Sequence, residues 1–172
     1  MTPPAEAAFR DYVEANLDRL CRFAYLICHD WQRAEDAVQK SLAKLYLHWK
    51  RIDSSNPHAY VRRIIVNTTR DEHRRFWFKR EQSSAQLPEV VQADHAEASA
   101  TRLAMLEALS RLPKRQRLAV ILRYWEDQSV EQTAEIMNCS PGTVKSQTAR
   151  GLQTLRGLLG TTIPTQVEGA SL

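Results

Sequence analysis

The densest run of chemically capable side chains lies between Tyr60 and Arg80. Seven cations (Arg62, Arg63, Arg70, Arg74, Arg75, Lys79 and Arg80) are interleaved there with Tyr60, Asn67, Phe76, Trp77 and Phe78. Cations hold phosphates, and aromatic faces stack on unpaired bases. A basic stretch carrying aromatics therefore suits single-stranded or melting DNA. The plainer reading is a solvated basic face with the aromatics packed inward. Residue type alone leaves both open, although Ile64, Ile65 and Val66 are expected in a core.

A second constellation runs from Ser129 to Arg150. Ser129 and Gln132 have the spacing of a capping box. Val130, Ala134 and Met137 fall on one face of a short helix, and small Ala134 permits a close helix approach. Asn138-Cys139 makes a tight turn. Ser140-Pro141 then sets a capping hydroxyl before a proline at the first helical position, so the next helix starts sharply. Its inner side reads Val144, Thr148, Leu152, Leu155 and Leu159. Its outer N-terminal face reads Thr143, Lys145, Ser146, Ala149 and Arg150. A helix-turn-helix needs such a polar, donor-rich face to reach base edges in the major groove. The amides and dipole of the helix start also favour phosphate. Ser140, Thr143, Lys145, Ser146, Ala149 and Arg150 are thus the candidate duplex-reading set. Lys145 is best placed for a base or phosphate, and Arg150 for the DNA backbone. An ordinary helical hairpin with a solvated face is the competing reading; the turn and cap placement together favour DNA.

Catalytic chemistry has little to build on. There is no P-loop and no nucleophile beside a base. Asp71-Glu72 is the only carboxylate pair near the basic run, and a charge-balancing role suits it better. The five histidines are scattered. The three cysteines, Cys21, Cys28 and Cys139, are an odd number with no CxxC pair. Buried or half-buried thiols are therefore expected rather than a metal site or disulfide. No catalytic residue, metal or cofactor is expected.

The elements that position these residues read as helices throughout. Apolar spacing predicts a helix over Phe9 to Cys28, with Tyr12, Val13, Leu17, Leu20, Ala24 and Ile27 inward. Asp30 caps a second, to about Trp49, whose stripe is Ala34, Val38, Leu42, Leu45 and Trp49. Its charged positions Glu35, Asp36, Gln39, Lys40 and Lys44 are either solvated or a protein-docking face. Lys50 to Asn56 is a short polar loop, and Asn56-Pro57 starts a third helix to about Lys79. Further helices are predicted from Ser99 to Pro113, Arg115 to Trp125, Val130 to Met137, and Pro141 to about Leu159.

Charge divides the chain the same way. Residues 1–80 hold fifteen Lys/Arg against ten Asp/Glu, residues 81–100 four acids and no Lys/Arg, and residues 101–160 nine bases against five acids. Two basic blocks around an acidic bridge suggest two modules that both meet a polyanion. The expected class is all-α: two small helical domains, 1–80 and 99–160, joined by a flexible acidic linker, 81–98, with a disordered tail, 161–172. No run of about eighteen apolar residues exists, and the N-terminus lacks signal-peptide order, so a soluble cytoplasmic protein without membrane insertion is expected.

Taken in order, four segments resemble the extracytoplasmic-function family of RNA polymerase sigma factors. They are Ala34-Glu-Asp-Ala-Val-Gln39, Ala59-Tyr-Val-Arg-Arg-Ile-Ile-Val-Asn-Thr68, Leu112-Pro-Lys-Arg-Gln-Arg117 and the helix-turn-helix. The likeness spans about residues 9–158, and Gly142-Thr-Val-Lys-Ser-Gln147 is similar to a subgroup common in actinobacteria. The resemblance implies that the first module corresponds to sigma region 2. Its second helix would dock on the clamp helices of the polymerase largest subunit through Glu35, Asp36, Gln39, Lys40, Leu42, Leu45 and Tyr46. Lys50, Arg51, Ser54, Ser55 and Asn56 would recognise and help melt the −10 element, together with Tyr60, Arg63, Asn67, Arg70, Arg74, Arg75 and Trp77. The second module would correspond to region 4, reading the −35 element and meeting the flap of the second-largest subunit. Lys145 stands where many relatives carry Arg, and Ala149 where a larger residue is common. Family members are not enzymes, and an anti-sigma factor commonly holds both domains inactive.

Three other readings compete. A stand-alone helix-turn-helix regulator would bind duplex promoter DNA by itself, and usually carries a strand-helix receiver domain that residues 1–80 do not suggest. A nuclease or recombinase would need clustered carboxylates or a nucleophile among the cations. A pure scaffold leaves the basic run from Arg62 to Arg80 without a purpose.

Overall fold

The computed structural model describes residues 3–52, 57–80 and 98–160, without the side chains of residues 3–4, 71–80 and 98–99. Residues 81–97 of the expected linker, the expected tail and the loop residues Ser54, Ser55 and Asn56 lie outside the described residues, while Ala98, expected to end the linker, opens α4. Among those described, every regular element is helical: α1 (Pro3–Cys28), α2 (Trp31–His48), α3 (Pro57–Arg80), α4 (Ala98–Arg111), α5 (Lys114–Val120), a π-helical turn (Ile121–Trp125), α6 (Val130–Met137) and α7 (Pro141–Leu159). The chain divides into two compact units, Met1–Val91 and Gln92–Leu172.

In the first unit α1, α2 and α3 pack on one another. The helix α1 begins at Pro3, earlier than apolar spacing predicts. Prolines suit a first turn, and Ala5, Ala7 and Ala8 favour helix without needing a core. His29 takes a left-handed conformation (φ 56°) that ends the helix. Asp30 follows in extended backbone, and its carboxylate accepts the Arg33 N–H at 2.9 Å, so the expected cap is present. The core joins Leu20, Phe23, Ala24 and Leu26 to Ala34, Ala37, Val38 and Leu45 and to Val61, Ile65 and Val66. Small side chains at Ala34, Ala37 and Ser41 let the helices approach. The buried Ser41 hydroxyl donates to the Ala37 carbonyl at 2.6 Å, so it costs no unpaired polar group. Phe23 sits near the middle of the α1 stripe, whereas Leu17 lies at its edge and is 40% exposed. Ile64 is only half-buried, since three consecutive residues sweep about 200° of a helix and cannot all face one neighbour.

In the second unit α5, α6 and α7 enclose a core, with α4 packed along α7. Pro113 separates α4 from α5 as expected. The helix expected to run unbroken to Trp125 instead widens in its last turn. There the Glu126 N–H reaches back five residues to the Ile121 carbonyl at 3.0 Å. Gln128 N–H donates to the Leu122 carbonyl at 2.9 Å, and the Arg123 guanidinium donates to the Gln128 carbonyl. These bonds aim the chain into α6. On α7 the buried positions are Val144, Thr148, Gly151 and Leu155, with Leu152 and Leu159 only half-buried.

Candidate nucleic-acid interface

The α6–α7 corner is built by local hydrogen bonds. The Ser129 hydroxyl accepts the Gln132 N–H at 3.1 Å, and the Gln132 side chain accepts the Ser129 N–H at 2.8 Å. Asn138 closes α6 in the left-handed region (φ 51°), where Asn is tolerated because its short polar side chain bonds locally. Cys139 N–H then reaches the Ala134 carbonyl at 3.0 Å. Ser140 is extended, and its hydroxyl accepts the Thr143 N–H at 3.1 Å.

That corner presents Lys145, Ser146, Ala149 and Arg150 on α7; Lys145, Ser146, Ala149 and Arg150 are not buried, and the last two lie one turn beyond the first. Thr143 is half-buried. Its hydroxyl lies 2.9 Å from that of Ser140, and the Ser146 hydroxyl donates to the Thr143 carbonyl at 3.0 Å. The three hydroxyls thus serve the helix start, and Lys145 and Arg150 carry the outward charge. The nearby Glu131 carboxyl is held below its usual range by its own backbone N–H and the Ser129 hydroxyl at the start of α6, with smaller help from Lys145 and Arg123.

In the first unit Arg63, Asn67 and Arg70 are exposed and share one side of α3 by their spacing of four and three residues. Arg62, one of the seven cations of the basic run, turns inward and is 7% exposed. Arg74, Arg75 and Trp77 continue along α3, but their side chains lie outside the described residues. Tyr60 is half-buried, its ring 6.3 Å from that of His48. Lys50 and Arg51 are exposed just past α2, where the Arg51 N–H still bonds to the His48 carbonyl at 2.8 Å.

The outer face of α2 carries Glu35, Asp36, Gln39 and Lys40, with Tyr46 40% exposed and Leu42 half-buried. Leu45 is fully buried and belongs to the core, which corrects its expected place on a docking surface. Sequence reasoning missed Leu47, which is 77% exposed on the stripe of Asp36 and Lys40. Its signal was an apolar residue off the inward stripe.

Both halves match known families: Sigma-70 region 2 over residues 12–78, and Sigma-70, region 4 over residues 102–155. The RNA polymerase sigma-E factor of Streptomyces coelicolor is 38% identical over 149 residues, covering 86% of this chain and 84% of its own. The ECF RNA polymerase sigma factor SigM of Mycobacterium tuberculosis is 31% identical over 156 residues, covering 89% and 78%. The chain belongs to the extracytoplasmic-function family of RNA polymerase sigma factors. A sigma factor of this family is a transcription-initiation subunit that joins core RNA polymerase and promoter DNA and performs no catalysis of its own. Region 2 coincides with α1–α3 and region 4 with α4–α7. The sigma factor RpoE of Bartonella quintana, solved in complex with the anti-sigma factor NepR, superposes with a TM-score of 0.81 at 26% identity, covering 91% of this chain and 99% of that one. Among the described residues no helix of this sigma factor is long and apolar enough to cross a membrane.

Proposed function

We propose that this sigma factor divides promoter recognition among three surfaces. Residues 1–80 form the region 2 domain and 98–160 the region 4 domain, connected through 81–97. The outer face of α2 docks on core polymerase through Glu35, Asp36, Gln39, Lys40 and Tyr46, with exposed Leu47 adding an apolar contact. Lys50 and Arg51, with Arg63, Asn67 and Arg70 and the adjoining Arg74, Arg75 and Trp77, capture the −10 element as it opens. Lys145, Ala149 and Arg150 of α7 read the −35 duplex from a helix start rigidified by Ser140, Thr143 and Ser146. The observation that carries this reading is the split on α3, where Arg63, Asn67 and Arg70 are exposed while Val61, Ile65 and Val66 fill the core.

The energetics are commensurate. Unpairing costs about 1–2 kcal/mol per base step, and stacking a captured base on an aromatic returns about 1–3 kcal/mol. Cations along α3 then hold the backbone of the freed strand. A stand-alone regulator would leave the region 2 unit without a task. The sigma factor works in the cytoplasm, where core polymerase is, and an anti-sigma factor restrains it; the RpoE–NepR complex supports that restraint. A pull-down that finds polymerase alone under every growth condition would count against it.

The test for the α3 surface is an Arg63→Glu, Arg70→Glu double variant. It is expected to bind core normally and to fail in promoter opening, read by permanganate reactivity of the −10 thymines. Loss of core binding instead would make α3 a structural helix.

A further inference from the structure

One cluster of side chains, joined to these surfaces only through Tyr46, has no role in them so far. Phe9 and Tyr12 of α1 meet Tyr46 and Trp49 at the end of α2 and His58 in the first turn of α3. The Tyr12 ring lies 5.3 Å from that of Trp49 and 5.1 Å from that of His58. The Tyr12 hydroxyl is 3.4 Å from His58 Nδ1. Phe9 packs edge-on against Trp49 at 5.2 Å and Tyr46 at 5.1 Å. Trp49 is the residue immediately before Lys50 and Arg51, and His58 lies in the first turn of the helix that carries Arg63, Asn67 and Arg70. One ring from α1 therefore touches both sides of the connection between the two basic elements.

We infer that Tyr12 is a positioning residue for promoter capture: its ring, inserted between Trp49 and His58, fixes Lys50–Arg51 against the outward stripe of α3. The inference rests on the −10 reading of those residues. A connection tethered only by the ends of its flanking helices samples many separations, and each must be lost when the strand binds. Rings at 4.5–7 Å hold a preferred relative geometry as well as burying area, so part of that ordering is done in the free protein. The burial that makes the bracket also raises the Tyr12 hydroxyl to about 12.

The experiment reconstitutes holoenzyme with core polymerase and measures two affinities: sigma for core, and holoenzyme for fork-junction DNA from the promoter of its own operon. Tyr12→Leu keeps apolar volume without the flat ring; Tyr12→Phe keeps the ring without the hydroxyl. The expected result is a loss of about tenfold in fork-junction affinity for Tyr12→Leu, with core affinity and the thermal melt near those of the parent, and less than about threefold loss for Tyr12→Phe. An unchanged fork-junction affinity in folded Tyr12→Leu, or equal losses in both affinities, overturns the inference and leaves Tyr12 a packing residue. Unchanged fork-junction binding in a Lys50→Ala, Arg51→Ala double variant sinks the underlying −10 reading instead.

Discussion

Gly151 of α7 lies so close to α5 that a Cβ there would sit 2.7 Å from Val120 Cγ2 and 3.2 Å from the Gln116 carbonyl oxygen. Valine is a stiff side chain and a carbonyl cannot rotate away, so the helices must part to admit even a methyl group. Gly151→Ala is expected to destabilise region 4 by about 1–3 kcal/mol despite its better helix propensity. Urea denaturation of the full chain checks this; Gly157, with open space around it, is the control that should tolerate alanine.

The two serine caps are expected to matter unequally for function. Ser129→Ala and Ser140→Ala each remove a bond to a helix-start amide and should each cost about 1 kcal/mol. Only Ser140 caps the helix that presents Lys145 and Arg150. Its loss should therefore also raise the dissociation constant for −35 duplex, measured at fixed salt.

Lys145 and Arg150 should separate in their signatures. Arg150→Ala is expected to weaken −35 binding about equally across sequences and to lower the salt slope of log affinity by about 1. Lys145→Ala is expected to relax preference at one base position, by about 1–3 kcal/mol if it contacts that base. A competition assay over promoter variants at two salt concentrations distinguishes them.

Tyr12 gives region 2 a pH signature. Burial, opposed more weakly by Arg62 and Arg19, raises its hydroxyl from 10.0 to about 12. The folded state therefore holds a proton that the unfolded state releases earlier. The corresponding stability is intact below pH 10.0 and is lost as pH rises through about 12. Ultraviolet titration should show a late tyrosine ionisation that Tyr12→Phe removes.

Features set within a few residues are legible in the sequence itself: the Asp30, Ser129 and Ser140 caps, the Pro113 break and the outward Lys145–Arg150 face. The helical class follows from them, whereas the family is legible through the resemblance of four segments: Ala34–Gln39, Ala59–Thr68, Leu112–Arg117 and the helix-turn-helix. What sequence does not show depends on which neighbour a helix meets. Gly151 looks like a weak helix residue until α5 is seen against it. The π-helical turn before Glu126 is set by the reach of the Glu126 N–H to the Ile121 carbonyl, where apolar spacing reads plain α. Leu45 and Leu47 differ by two residues and by the whole of the core, because a helix face is resolved only once its partners are placed. Arg62 belongs to the basic run by residue type, yet it points inward.

The most direct measurement is promoter-specific run-off transcription from the promoter of the chain's own operon, with purified core polymerase. Core alone should give no specific transcript, and core with this protein should give one of defined length. Absence of that transcript, together with tight binding of the promoter duplex without core, would contradict the sigma-factor account and favour a stand-alone regulator.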